Sequence, residues 1–350
     1  MPPPKRATIA DIAARAGVSV GAVSFALNDR PGVSDDTRAR IRAIAREMKW
    51  HPHSAARALG GARANSIGFV LNRPARSLGT DSFFVDLISG IQLGLSNAAS
   101  ARGESVHIGM NLLIAKDLRE ELDTYNEWWS GCSVDGVIVV DPRVDDPRLV
   151  LLDSLGLSAV VVGSHPSAAG AAPAAWIDDA AAADILFGYL HALGHSHIAH
   201  ISGPREFEHT AMRAAALQKF QSASPRASVE SFPTDYSAEA GASITRTLLS
   251  RSVRPTVLVY DNDVLAVAGL GVASEMGLSV PRDLSIASFD DSAMARLVRP
   301  SLTTLTRDTV QLGEIATLLL LEQIESRLPL PSREALRLTL SVRESTAPPS

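Results

Sequence analysis

One cysteine, Cys132, stands in the 350 residues of this chain. A single thiol excludes an internal disulfide and a cysteine metal cluster; it suits a reducing compartment in which Cys132 simply packs. No stretch approaches the ~18 consecutive apolar residues that a membrane span needs. Met1-Pro2-Pro3-Pro4-Lys5-Arg6 lacks an apolar h-region, so no secretory signal is expected. A Gly-rich phosphate loop and a strand-to-helix G-x-S-x-G nucleophile turn are missing, which argues against nucleotide and serine-hydrolase chemistry. His191, His195, His197 and His200 crowd one segment, but they point several ways and no carboxylate stands at metal spacing. The chain is expected to be no enzyme and to need no cofactor or metal. It has no internal repeat, and no long heptad segment marks its C-terminus, so a dimer is expected rather than a tail-mediated tetramer.

What is present begins with an apolar content of 46%, enough for a large core in a chain long enough for more than one domain. From Ser66 onward strands and helices alternate. Apolar runs at Ile67–Leu71, Val106–Met110, Gly136–Val140 and Ala159–Gly163 form one series. Ile198–Ser202, Val257–Tyr260 and Leu284–Phe289 form a second. Ile185, Tyr189 and Leu193 mark the i, i+4, i+8 stripe of an intervening helix. Continuous apolar strands with helices between them predict parallel sheets covered on both faces. Two series predict two lobes, with a ligand cleft near the C-terminal ends of the strands. Ala168–Ala175, a run of small residues, is expected to connect the lobes.

The first sixty residues read differently. Thr8 can cap a helix, Asp11 suits its first turn, and Ile9, Ile12, Ala13 and Ala16 share one face. Gly17 suits the positive φ that ends that helix. Val18 fills the gap to a second helix that Ser19 can cap and Asn28 can end, with Val20, Gly21, Ala22, Ser24 and Phe25 near its exposed N-terminal half. Ser34 caps a third helix, with Asp35 and Asp36 in its first turn and Ile41, Ile44, Ala45 and Met48 spaced to pack inward. Two short helices around a tight glycine turn are the sequence form of a helix-turn-helix DNA reader. An αα-hairpin of a plain helical domain has the same spacing, and charge separates the two. Residues 1–63 hold eleven Lys or Arg against five Asp or Glu, a net of +6 in a chain of net −5, which leaves −11 for the remainder. A basic head on an acidic body fits one segment that touches phosphate.

Residues 8–59 resemble the DNA-binding head of the lac-repressor/galactose-repressor family. The resemblance rests on Thr8, Asp11-Ile12-Ala13, Ala16-Gly17-Val18-Ser19, Ala22-Val23-Ser24, Leu27-Asn28, Val33-Ser34, Thr37-Arg38, Ile41, Trp50, Pro52 and Leu59. Further matches run through the body: Ser82-Phe83-Phe84, Val134-Asp135-Gly136, Leu193-Gly194-His195, Asn262-Asp263, Gly277-Leu278, Phe289-Asp290-Asp291 and Leu302-Thr303-Thr304-Leu305. It implies an α/β protein with an all-α helix-turn-helix head and a hinge, then a two-lobed periplasmic-binding-protein-like core of parallel sheets flanked by helices. The implied domains are residues 1–52 for the head, 53–65 for the hinge helix and linker, and 66–345 for the core, crossing between lobes near 164–175, 290–300 and 325–333.

The implied function is a sequence-specific transcription regulator, a repressor, that binds double-stranded operator DNA as a homodimer under control of a small effector such as a sugar. It implies a cytoplasmic protein, on the nucleoid when bound to DNA. The rival class is a transporter's solute-binding protein, which shares the body fold; the missing signal and the basic head argue against it. Implied DNA contacts are Thr8, Ser19, Val20, Gly21, Ala22, Ser24, Phe25, Asn28, Ser34, His53, Arg57 and Leu59. The segment from His53 to Leu59 is Ala-rich but short, so as an isolated helix it is marginal. In the family it folds on the operator, and resemblance assigns to Leu59 the side chain that wedges a central base step. Implied effector contacts are Phe83, Phe84, Asp178, His209, Arg213, Asn262, Asp263 and Asp290. The chain departs from the family at His53, where asparagine is frequent, and at Phe25, where arginine is common. Ala216 stands where a glycine usually follows the effector-site arginine. Val20 and Gly21 cannot hydrogen-bond a base edge through their side chains, so operator choice is expected to lean on Ser24, apolar contacts, the hinge and DNA shape.

Overall fold

The computed structural model describes residues 7–27, 30–48, 50, 63–73, 81–101, 108–163, 172–224, 227–328, 330–335 and 338–350. The described chain divides into two compact units, a helical head and a body that holds both sheets. Asn28, His53, Arg57 and Leu59, and with them the hinge segment, lie outside the described residues.

The head is built from α1 (Ile9–Ala16), α2 (Val20–Leu27) and α3 (Asp35–Glu47). Thr8 and Asp11 form a reciprocal cap: Thr8 Oγ1 accepts from the Asp11 N–H at 3.3 Å, and Asp11 Oδ2 accepts from the Thr8 N–H at 2.8 Å. Gly17 ends α1 at φ 66°, a left-handed value that costs glycine little. Ser19 Oγ accepts from the Ala22 N–H at 3.1 Å and Ser34 Oγ from the Thr37 N–H at 3.4 Å, so both later helices are capped as read from the sequence. Ile12, Ala13, Ala16, Val23, Ala26, Ile41 and Ala45 form the core, with Val18 packed against it. The Arg38 guanidinium reaches the carbonyls of Phe25 and Ala26 at 3.3 Å each and that of Arg30 at 2.9 Å, placing a cation on the C-terminal end of α2.

The body opens with β1 (Ser66–Asn72), α4 (Ser82–Ala101), β2 (Gly109–Ala115), α5 (Leu118–Ser130), β3 (Gly136–Val139), α6 (Pro147–Leu155), β4 (Ser158–Val162) and β5 (Ala174–Trp176). It continues with α7 (Asp179–Ala192), β6 (His197–Ser202), α8 (Glu208–Ala223), β7 (Ser228–Pro233), α9 (Ala238–Leu249), β8 (Val257–Tyr260), α10 (Asp263–Glu275), β9 (Ser285–Ser288), α11 (Ala293–Leu297), β10 (Thr303–Thr306), α12 (Thr309–Ser326), β11 (Arg333–Glu334) and β12 (Thr339–Ser341). One sheet has the order β11-β5-β4-β3-β1-β2, the other β12-β10-β9-β8-β6-β7. Every named pair is parallel except β10 with β12. Each sheet changes direction once, between β1 and β3 and between β6 and β8, and ligand sites in such sheets form at the strand C-termini beside that switch.

Three details differ from the sequence expectation. The second strand runs over Gly109–Ala115, later than Val106–Met110, because it pairs residue for residue with Ser66–Asn72 at the sheet edge, which leaves Leu112 and Ile114 exposed. The buried face of α7 is Ala182, Ala183, Leu186, Phe187 and Leu190, while Ile185 is 41% exposed. That helix is apolar over most of its circumference, so its period does not choose a face; the sheet does. The chain passes between the sheets after β5, at 177–178, and after β10, at 307–308, and β11 (Arg333–Glu334) still belongs to the first sheet, because each of these strands pairs within the sheet it follows.

The second crossing sends α12 back across the first lobe. There α4 and α12 meet backbone to backbone: a Cβ on Gly90 would lie 1.9 Å from the Val310 carbonyl oxygen, and one on Gly313 2.4 Å from that of Leu87. Gly90→Ala is therefore expected to push the helices apart at a cost of about 2–3 kcal/mol. A thermal melt checks this: the midpoint should fall by several degrees, and an unchanged midpoint would refute the close approach.

Candidate effector cleft and nucleic-acid interface

The strand ends beside both switch points converge on one cleft. Arg73 follows β1, Asp141 follows β3 and Asp261 follows β8, and all three line a cavity of about 60 Å³ between the lobes. Of the eight residues expected there, Phe83, Phe84, His209, Arg213, Asn262 and Asp290 line it. Asp178 and Asp263 do not, for local reasons. Asp178 is the N-cap of α7, its carboxylate accepting from the Ala181 N–H at 2.9 Å. Asp263 opens α10 and accepts from the Val264 N–H at 2.9 Å. Capping turns Asp178 away and the bond to the next N–H turns Asp263 away, and a neighbouring carboxylate lines the cleft instead: Asp179 in the first case, Asp261 in the second. Asn262 also caps α10, accepting from the Leu265 N–H at 2.9 Å.

Arg213 is the centre of the second lobe's wall. Its Nε and Nη2 donate to Asp179 Oδ1 at 2.9 and 2.7 Å, its Nη1 donates to Asp261 Oδ1 at 3.0 Å, and its guanidinium lies 4.3 Å from the Phe289 ring centroid. Asp261 is held further by the Gly203 N–H at 2.7 Å and by His200 Nε2 at 2.9 Å. Burial alone would raise both carboxyls; Arg213, together with Arg307 and His209 at Asp179 and with His200 and the Gly203 N–H at Asp261, overcomes it and holds both below the usual range. His209 has Nε2 2.7 Å from the Tyr236 hydroxyl, and burial, then Arg213, push its pKa down, which favours the neutral ring.

The first lobe adds Arg73, which was not among the residues expected here. Its Nε donates to Asp141 Oδ2 at 2.8 Å, and its guanidinium crosses to the second lobe, 4.8 Å from the Phe207 centroid and 4.4 Å from that of Tyr236. Burial opposes the charge on Asp141, yet Arg73 keeps its pKa low. At the opposite rim Asp290 is paired with Arg307, whose guanidinium stands 5.2 Å from the Phe83 ring. Asp81 accepts from the Phe83 N–H at 3.1 Å; burial, reinforced by Asp290, pushes it up to about 7. Position after a strand at the switch point would have flagged Arg73, Asp141 and Asp261 from sequence; Asp81 and Arg307 carried no signal.

The cavity's size matters. An apolar cavity of about 150 Å³ just holds benzene, so about 60 Å³ admits several waters and no sugar-sized molecule. The lobes are zipped at one rim by Val144 N–H to the Glu206 carbonyl at 3.0 Å and Glu208 N–H to the Pro142 carbonyl at 2.9 Å. Ligand entry therefore requires the lobes to part or the arginines to move.

In the head, Ser19, Val20 and Gly21 are exposed at the N-terminal end of α2 and Phe25 in its second half, while Ala22 and Ser24 are half-buried. Val20 is 52% exposed and Phe25 41%, high for apolar side chains in a small helical unit. A Cβ on Gly21 would meet nothing closer than Ser19 Oγ at 3.8 Å, so this position has room for a partner.

The model of bacterial regulatory proteins of the lacI family matches residues 8–53, and the periplasmic binding protein-like domain matches 187–346. The chain is 29% identical over 344 residues to the HTH-type transcriptional repressor PurR of Escherichia coli O1:K1 / APEC, with 97% of both chains covered. A LacI family transcriptional regulator from Bifidobacterium animalis subsp. lactis superposes with a TM-score of 0.73 at 31% identity, over 83% of this chain and 100% of that one. The chain belongs to the LacI family. It is a DNA-binding transcriptional repressor whose core domain takes a small-molecule effector. The lac repressor dimer bound to operator and the anti-inducer ONPF shares the fold, with a TM-score of 0.77 at 23% identity, over 98% of this chain and 100% of that one. Among the described residues of this LacI-family member no single helix is long and apolar enough to cross a membrane.

Proposed function

We propose that this repressor reads its operator as a homodimer in the cytoplasm and is controlled by a polyhydroxylated effector, a sugar or related compound, bound by Phe83, Phe84, His209, Arg213, Asn262 and Asp290. The observation that carries the reading is the cleft itself, where two sheet switch points bring aromatic faces and buried, oriented polar groups to one place. Asp141, Asp179 and Asp261 orient the arginines that line it. The exposed row Ser19, Val20, Gly21 and Phe25, with Ala22 and Ser24, enters the major groove; Thr8 and Ser34, at helix N-termini, lie against phosphates. Asn28 borders the same surface in sequence. His53, Arg57 and Leu59 belong to a hinge over residues 53–65 that binds the minor groove, Leu59 supplying the wedge. Val85 and Leu93 on α4 and Leu112 and Ile114 on β2 are exposed apolar side chains of the first lobe, which supports pairing of two first lobes. Effector binding changes the relation of the lobes and so favours or disfavours hinge folding.

Leu59→Ala tests this assignment. Operator affinity should fall by about tenfold or more, roughly 1.4 kcal/mol, while effector affinity stays within twofold. Undiminished operator affinity in a DNA-binding titration would remove the hinge from the account.

A further inference from the structure

Among the described residues that line it, the cleft carries more carboxylate than guanidinium. Arg73, Arg213 and Arg307 face Asp81, Asp141, Asp179, Asp261 and Asp290, three cations against five anions. Each arginine already has its anion: Arg73 has Asp141, Arg213 has Asp179 and Asp261, and Arg307 has Asp290. Asp81 forms no ion pair among the described residues, and its one hydrogen bond there is from the Phe83 N–H, two residues along. Its carboxylate lies in the same cavity as Asp290, beside the edge-to-face pair Phe83 and Phe84, whose centroids are 5.3 Å apart.

Resting on the effector reading above, we propose that the effector carries a protonated amine, its ammonium set between Asp81 and Asp290 and its uncharged part against Phe83 and Phe84. An ammonium there supplies the cation that the lining lacks, with three N–H donors for two carboxylates. An anionic effector would have to compete with Asp141, Asp179, Asp261 or Asp290 for guanidinium groups already engaged. A neutral effector would leave the excess negative charge buried beside it. The resting site already disfavours a charged Asp81: burial, then the Asp290 charge, push it up to about 7 against the pull of Arg73. A bound cation reverses this pressure and favours the carboxylates. The aromatic rims suit it too, because Phe84, Phe207 and Tyr236 already surround one cation, the Arg73 guanidinium.

The test is thermal unfolding of the full chain with three matched sets of probes: glucosamine, galactosamine and mannosamine; glucose, galactose and mannose; and the three hexose 6-phosphates. At least one amine should raise the unfolding midpoint by several degrees, and more than its neutral and phosphorylated counterparts. Asp81→Asn should weaken that amine by tenfold or more in a binding titration. The unliganded variant should melt at or above the wild-type temperature, because removing the unpaired carboxylate relieves repulsion. Stabilisation by a neutral or phosphorylated probe equal to or above that of its amine overturns the proposal, as does the absence of any amine effect. The effector reading fails separately: operator affinity would then be unmoved by whichever probe binds, amine or not.

Discussion

Replacing Arg148 with alanine is expected to lower the stability of the body by about 3–5 kcal/mol, the usual cost of breaking a buried ion pair from one side. Arg148 is 1% exposed and is the largest fully buried side chain described. Its Nη1 donates to Glu121 Oε1 at 2.8 Å and to the Val140 carbonyl at 3.0 Å, while its Nη2 donates to Asp146 Oδ2 at 2.6 Å and to the Asp141 carbonyl at 2.8 Å. Glu121, fully buried, would keep among the described residues only the Tyr125 hydroxyl at 2.8 Å and Asn72 Nδ2 at 3.3 Å. Neither neutralises a carboxylate. Lysine would restore the charge and not the fork that spans Glu121, Asp146 and two carbonyls, so Arg148→Lys should recover less than half of the loss. Denaturant unfolding measures both; a loss below about 1 kcal/mol for the alanine variant would contradict the network. The effect should reach the cleft as well, because Arg148 holds the Asp141 backbone and the Asp141 carboxylate holds Arg73.

Asp290→Ala is expected to abolish the effector response while operator binding survives. Effector coupling in two-state regulators runs to about 5–150-fold in affinity, and the variant should bring that factor to one. The reason is local. Asp290 fixes Arg307, which lies over Phe83, and its charge acts on Asp81, so one substitution releases one rim of the cleft. Its described ion pair is with Arg307, and the head's helices have their own caps and core. Operator titrations with and without a probe that binds the wild type will show it; a normal response would place the effector elsewhere.

Much of this architecture was legible in the residues. Thr8, Gly17, Ser19 and Ser34 each carry their own reason for a helix end, and each cap formed. The strands Ile67–Leu71, Ile198–Ser202 and Val257–Tyr260 are continuous apolar runs because both faces of a parallel sheet are covered. What stayed hidden depended on distant partners. Arg148 follows a proline at the start of α6 and looks like any solvated arginine until Glu121 arrives from α5. Asp178 and Asp179 are adjacent carboxylates at a helix start, and sequence cannot say which one caps and which one turns to the cleft; at Asn262 and Asp263 one residue, Asn262, both caps and lines the cleft. Ile185 and Leu186 posed the same question on an all-apolar helix. Edge strand β2 slipped because its outer residues answer to no core.

The central claim is that a head with an exposed reading helix and a cleft-bearing body act as one ligand-controlled operator reader. Fluorescence anisotropy of the full chain, on a palindrome from its own upstream DNA and on a scrambled duplex at roughly physiological salt, tests this most directly. The account predicts operator binding tighter than scrambled binding by about a thousandfold or more, log affinity falling linearly with log salt, and a several-fold shift in operator affinity with a probe that binds the cleft. Equal affinity for both duplexes, unmoved by such a probe, would contradict it.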